Sequence, residues 1–455
     1  MIQLIIGVLL LVAFVGLAIY AFRGGNLMIG MLVMAIIWSA LSIVGFYIIK
    51  DPTFVEANAK LIGTSFPDQL KAVFQSGPES WGPTLVNFIF GAWFGRVMLK
   101  TGIASKIIKL TVELGGDKPV VTSVLLSLVT TLVFTSMFGA GAVVAIGVIV
   151  FPILLSLGIP KKTALVEFML SVGAGLYINP VIFSQYKMFF LDEAGNETVS
   201  YDSTYLKWGF IALGVQLLVA IIFTVIFSRK KKQVHAWSSP VPQNGGSKAV
   251  EPNRVPGIAL ITPFVPVVLA IGFKVPVILG FLIAGFFAMA VCGYMRTWKG
   301  TAETFNKTFY DGVIDTAPLM GFMLIIPMFN AASNLAVPYF QSLLGGFIPN
   351  STLILAIAFA ILAPLGLFRG PFTLAGAGAA TLGILKSLNF SPHFLFGLMY
   401  APTVTMNISC DITQSWIIWG INYTKTEPNN YLKSSAPTGW IITAILCAAT
   451  FFIYG

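Results

Sequence analysis

The sequence predicts an all-α polytopic membrane protein with two inverted-topology repeats, each containing a hairpin and a broken helix. Three observations carry that prediction. Apolar residues make up 57% of the 455-residue chain and charged residues only 10%, with a mean hydropathy of +0.88; a soluble domain carries about 25% charged residues to face water. The apolar residues come in runs long enough to cross a hydrocarbon core about 30 Å thick, which takes ~20 residues of helix. The interruptions of those runs by Gly, Pro and polar residues recur in one order in both halves of the chain.

Taken in order, helices are expected at 2–22, 26–49, 83–100, 119–137, 142–158, 163–190, 206–228, 256–272, 276–295, 311–331, 352–368, 372–385, 393–420 and 437–454. The first is followed, not preceded, by its basic residue Arg23 and has no small-residue cleavage pattern after it. It therefore reads as a retained helix and not as a secretory leader. The chain divides into N-terminal helices and an external loop (1–82), a first transport repeat (83–228), a linker (229–254), a second repeat (255–436) and a C-terminal helix (437–455).

The linker opens with Arg229, Lys230, Lys231 and Lys232, which places it in the cytoplasm because basic loops are retained there. Walking outward from it, the acidic stretch 191–205 falls outside, and Lys118 and Lys161 both fall inside. The stretch between those lysines is then a hairpin, with its turn at Ser136-Met137-Phe138-Gly139-Ala140-Gly141. In the second half, 352–385 forms a hairpin entering from the opposite side, with its break at Pro364 to Pro371. Amphipathic stretches at 101–117 and 332–349 precede the two hairpins and are expected to lie along opposite faces of the bilayer, 332–350 outside. After each hairpin comes an apolar segment broken by proline, at Asn179-Pro180 and at Ala401-Pro402.

Composition also excludes several functions. The net charge of +10 is the positive-inside bias of membrane loops and calls for no nucleic acid. Cys292, Cys410 and Cys447 are far apart, and two histidines make no metal cluster, so neither a metal nor a cofactor is expected. The chain has no phosphate-binding Gly-Lys-Ser/Thr loop and no catalytic Ser-His or paired-Asp set, so it is not expected to be an enzyme.

Inverted repeats with interrupted helices are the signature of secondary transporters, and the breaks mark the binding site. Broken backbone survives in a membrane only where protein or water covers it. The candidate lining is therefore 136–141, 177–185, 366–376 and 402–414. Expected to bind substrate are Ser136, Gly139, Gly141, Tyr177, Asn179, Arg369, Thr373, Thr403 and Asn407; Ser409, Asp411 and Gln414 are expected to hold a coupling ion, H⁺ or Na⁺. Arg369 offers a planar, two-pronged donor for a carboxylate; the alternative is an arginine snorkelling to the surface. Asp411, an ionisable residue in the most polar stretch of a spanning segment, has no local basic partner and should bind a cation, pair across the repeat or take up a proton. The alternative places it nearer a helix end. Glu167 and Arg96 read as interfacial, and Asp315 as a first-turn partner of its helix dipole.

On these residues the chain resembles the gluconate/proton symporter family of the ion transporter superfamily. Phe368-Arg369-Gly370 through Gly378 looks like the family's Arg-containing hairpin, Asn407 to Trp416 like its Asn-Asp stretch, and Phe134 to Pro160 like its first hairpin. Where the family commonly has an acidic residue near the first hairpin tip, this chain has Ser136-Met137-Phe138. The resemblance implies a cation-coupled symporter for a small organic anion such as a sugar acid or carboxylate, in the inner membrane of the cell, working in the lipid bilayer, with a homodimer possible. A channel or facilitator for small polar solutes, or a Na⁺-coupled carrier of another substrate, is the alternative.

Overall fold

A computed structural model describes residues 2–23, 25–116, 118–191, 196–228, 255–344, 351–386, 388 and 390–455. The 229–254 linker and 345–350 lie outside the described residues. The chain is an all-helical, multi-pass membrane protein. Among the described residues, six helices are long and apolar enough to cross a membrane, and two more, Lys161–Leu176 and Pro180–Lys187, bent by 70° at a break, form a broken span or a re-entrant loop.

Each half repeats one order of elements. The first half runs through Gly82–Lys100, a short helix Ile103–Gly115, a hairpin of Pro119–Phe134 and Ala140–Ser156, a broken helix Lys161–Leu176 and Pro180–Lys187, and Ser203–Ser228. The second runs through Trp298–Leu344, a hairpin of Thr352–Leu362 and Gly378–Lys386, a broken helix Pro392–Pro402 and Ser415–Thr424, and Pro428–Tyr454. At the centre lies Lys161–Leu176, whose side chains from Thr163 to Leu176 are all buried. Most of these residues are apolar or small, and the polar ones among them are Thr163, Glu167 and Ser171.

Several expectations are corrected. The amphipathic stretch 332–349 is not a separate element: its described part completes Trp298–Leu344, a single helix of 47 residues, about 70 Å long. In the first half, Gly102 takes a left-handed φ of 76° and turns the chain between Lys100 and Ile103. At the matching place the second half has Ala331-Ala332, the best helix-forming residue twice over, and the helix runs on. Its apolar end, Met323–Leu343, is of spanning length and packs on the N-terminal pair: Trp38 meets Phe329 and Phe340, and Tyr339 Oη donates to Ser42 O at 2.8 Å. The external loop expected before residue 82 is instead a chain of short helical turns from Pro52 to Ser80. The expected boundary at 436/437 falls inside Pro428–Tyr454, where Pro437 is carried within the helix. In the second hairpin, helix resumes only at Gly378, leaving 370–377 irregular.

Candidate functional site

The first break falls at Tyr177, Ile178 and Asn179, between Leu176 and Pro180. Proline cannot extend the preceding helix, and the residue before it is pushed to extended backbone; Asn179 sits at φ −74°, ψ 119°. Its side chain then serves four partners. Oδ1 accepts from the N–H groups of Val181 (2.9 Å) and Ile182 (3.3 Å), and Nδ2 donates to Phe134 O (3.0 Å) and Met137 O (3.1 Å) of the first hairpin. Asn179 therefore caps one half-helix and docks the hairpin tip onto it.

The carbonyls freed at this break are taken by tyrosines. Tyr400 Oη donates to Leu176 O (3.3 Å), Tyr205 Oη to Tyr177 O, and Tyr201 Oη to Ile178 O. Leu176 O also accepts from Asn179 N (3.2 Å); for the carbonyls of Tyr177 and Ile178 the tyrosines are the described donors, and a buried acceptor left unpaired costs about 1–3 kcal/mol. Tyr201 and Tyr205 were not singled out from sequence; the signal was their grouping just before and at the start of Ser203–Ser228.

The second break winds through a wide turn, Thr403–Ile408, and stays irregular until Ser415. Here the predicted residues come together. Asp411 Oδ2 accepts from the Arg369 N–H (3.1 Å) and from Asn407 Nδ2 (2.8 Å), and its Oδ1 accepts from Thr413 N (2.8 Å). Gln414 Nε2 donates to Asn407 Oδ1 (2.7 Å), and Thr403 Oγ1 accepts from Leu374 N (2.9 Å). Thr373 Oγ1 accepts from Ala375 N (3.2 Å) within the irregular tip. Arg369, Thr373, Thr403, Asn407, Asp411 and Gln414 thus form one cluster that pins the second hairpin tip to the second broken helix. Arg369, 42 residues away in sequence, is the basic neighbour whose charge acts on Asp411. The tip carries strain: Phe368 and Arg369 both have positive φ, 54° and 55°, at about 1–2 kcal/mol each for residues with a Cβ.

Tyr177 and Ser409 join a second network. Tyr177 Oη lies 3.2 Å from Ala401 O and 2.7 Å from Thr405 Oγ1; Thr405 donates to Gln216 Oε1 (2.6 Å), and Gln216 Nε2 reaches Leu170 O (2.9 Å) and Ser409 Oγ (3.1 Å). Tyr431 Oη closes the network on Ser409 O at 2.6 Å. Gln216, fully buried, was not among the predicted residues. Its signal was a lone amide in the apolar run of Ser203–Ser228.

The first hairpin tip meets the second half through apolar contact. Gly139 has φ 104° and ψ 157°, a conformation essentially reserved for glycine. With Phe134, Phe138, Ile408 and Trp416 it lines a crevice too narrow for a water molecule. Ser136 is buried at this tip, with Oγ 3.4 Å from Val133 O.

Gly141 is not brought to the others. A Cβ there would overlap the Asp315 carboxylate, which Arg96 holds through Nε and Nη2. Arg96 and Asp315 are thus partners across 219 residues, 31% and 15% exposed; Arg96 was expected to be interfacial, and Asp315, expected in a first turn, lies well inside Trp298–Leu344. Glu167 is likewise no interfacial residue: it is 1% exposed, between serines of the first hairpin.

No family model and no curated protein matches the chain. Neither comparison bears out the expected gluconate/proton symporter family. Among solved structures the chain is similar to the Alcanivorax borkumensis YdaH transporter, whose crystal structure was described as revealing an unusual topology. The TM-score is 0.58 at 11% identity, over 93% of this chain and 98% of that one; the likeness is one of fold.

Proposed function

We propose that this chain is a cation-coupled secondary transporter, a symporter that carries a small organic anion such as a sugar acid or other carboxylate across the inner membrane. One observation carries the reading: an arginine, Arg369, at the strained tip of the second hairpin, tied through its N–H to a buried carboxyl group, Asp411, in the break between Pro392–Pro402 and Ser415–Thr424. Two hairpins and two broken helices meeting at depth are the arrangement in which such carriers hold substrate, and the fold is similar to that of a protein described as a transporter.

In this reading Arg369 clamps the substrate carboxylate, with Thr373, Thr403 and Asn407 beside it. Ser136, Gly139, Tyr177 and Asn179 shape the opposite wall, and Asp411, Ser409 and Gln414 carry the coupling ion, H⁺ or Na⁺. Phe138 of the first hairpin tip packs edge to face on Trp416, with centroids 6.4 Å apart, so in this reading the two halves meet at the site.

The test is uptake by purified protein in proteoliposomes, with a panel of labelled sugar acids and dicarboxylates under an imposed pH or Na⁺ gradient. Saturable uptake of one class that follows one gradient is expected. Absence of both gradient-driven uptake and counterflow across the panel would overturn the proposal.

A further inference from the structure

Glu167 is a buried carboxyl that the hairpin-tip site does not use. It sits on Lys161–Leu176, and its partners are the serines of the first hairpin. Ser123 Oγ lies 2.6 Å from Oε1 and 2.6 Å from Oε2, and Ser127 Oγ lies 2.7 Å from Oε1. The Thr224 hydroxyl stands alongside Glu167 and lies 2.9 Å from Ala220 O.

Glu167 is 1% exposed, and its described hydrogen bonds are to hydroxyls alone. A hydroxyl can donate to a carboxylate, one hydrogen being shared by both of its oxygens, and can equally accept from a carboxyl O–H. These partners therefore serve a neutral carboxyl, and a buried negative charge with no cationic partner is costly, which favours the neutral form. Asp411 makes the contrast, because its described hydrogen bonds come from three N–H groups that can only donate, which suits an anion. Two buried carboxyls in two donor environments divide their roles.

The charged surroundings agree. Of the elements packed on Lys161–Leu176, Pro119–Phe134, Ala140–Ser156 and Thr403–Ile408 contain no titratable residue. Ser203–Ser228 carries Tyr205 and Lys207 at the end away from Thr224, and Ser415–Thr424 carries Tyr423. The C-terminal helix carries Tyr431, Lys433, Cys447 and Tyr454, and Cys410 and Asp411 follow the wide turn. On its own helix, Lys161 and Lys162 lie more than one turn away, with Lys162 Nζ 6.0 Å from the Phe227 ring centroid. Among the described residues, none forms an ion pair with Glu167.

We propose that Glu167 is a proton-binding site in its own right, separate from the hairpin-tip site, and that its proton fastens the first hairpin to the first broken helix. Loss of the proton leaves a buried charge between the two elements with only hydroxyls to meet it, so the protonation state sets how firmly they hold. The consequence for transport rests on the carrier reading above; the proton site itself does not.

Infrared spectroscopy of the full-length protein in lipid tests it without any substrate. At neutral pH the wild type should show a protonated-carboxyl C=O band that shifts in D₂O and gives way to carboxylate as pH rises. Glu167→Gln should lack the band, and Asp411→Asn should keep it. Should Glu167→Gln fail to fold, Ser127→Ala gives the same answer: it removes a donor from Oε1 and should move the band to higher frequency. A wild type with no such band at neutral pH overturns the proposal, as does a band that survives Glu167→Gln or is unmoved by Ser127→Ala.

Discussion

Tyr177 and Tyr400 each point their hydroxyl at the main chain beside the other: Tyr177 Oη lies 3.2 Å from Ala401 O, and Tyr400 Oη lies 3.3 Å from Leu176 O. Their rings meet edge to face with centroids 5.8 Å apart. The relation is reciprocal and couples the two broken helices at the depth where each loses its own hydrogen bonds.

Removing either hydroxyl should therefore cost about 0.5–1.5 kcal/mol of stability, the net worth of one hydrogen bond. Tyr177→Phe and Tyr400→Phe should each lower the midpoint of thermal unfolding in detergent. Because the residues touch, the double variant should depart from additivity. Strict additivity would mean that the two contacts are energetically independent.

Gly173 lies where Lys161–Leu176 crosses the second break, and a Cβ there would overlap Ser409 Oγ and Gln216 Nε2. Gly173→Ala should destabilise by about 1–3 kcal/mol, the usual effect of overpacking, and should impair uptake. Gly214 has nothing within 4 Å of its Cβ position, so Gly214→Ala should be neutral or slightly stabilising. Equal melting midpoints for the two variants would count against the close crossing.

The breaks were legible in the sequence because proline acts locally: Asn179-Pro180 and the polar run after Pro402 announce themselves without reference to any distant residue. The turn at Gly102 and its missing counterpart at Ala331-Ala332 were equally local, but the expectation of symmetry outweighed them. What the sequence did not reveal is pairing across distance. Arg96 meets Asp315 219 residues on, Glu167 meets Ser123 44 residues back, and Gln216 meets Ser409 193 residues on. Arg96, Asp315 and Glu167 looked like isolated charges near helix ends, and Gln216 was a lone amide in an apolar run. The burial of each depends on which helices become neighbours, and hydropathy alone does not decide that.

The Arg96–Asp315 pair ties Gly82–Lys100 to the long helix beside the first hairpin. Asp315→Ala and Arg96→Ala should each cost about 1.5–3 kcal/mol, the range for charge-assisted hydrogen bonds, reduced by the partial exposure of both side chains. The double variant should lose less than the sum, because neither charge is then left alone. A double-mutant cycle on unfolding midpoints measures this, and a coupling near zero would mean that the pair contributes nothing.

Arg369→Lys keeps the charge and loses the planar fork. If Arg369 anchors a carboxylate, apparent substrate affinity in proteoliposomes should fall by an amount equivalent to about 2–5 kcal/mol, while yield and melting stay near wild type because the backbone N–H to Asp411 is retained. Unchanged affinity would leave Arg369 with a role in holding the tip alone.

Asp411 offers the sharpest test of coupling. Its carboxylate accepts three N–H groups, two on Oδ2 and one on Oδ1, so it fixes the second hairpin tip while carrying a negative charge at depth. If Asp411 holds the coupling ion as proposed, its charge opposes movement of an unloaded site through hydrocarbon, and a bound cation removes the obstacle. Asp411→Asn is neutral without a cation and should behave as the loaded form. It also turns one acceptor into a donor facing an N–H, which should cost about 1–3 kcal/mol of stability, so comparisons need equal amounts of reconstituted protein. Exchange of substrate across the membrane should persist in this variant, while accumulation driven by a pH or Na⁺ gradient should fail. If Asp411 merely holds the tip in place, both activities should fall together with the melting midpoint. Counterflow and gradient-driven uptake, measured side by side, separate the two outcomes, and undiminished accumulation would remove Asp411 from the coupling mechanism.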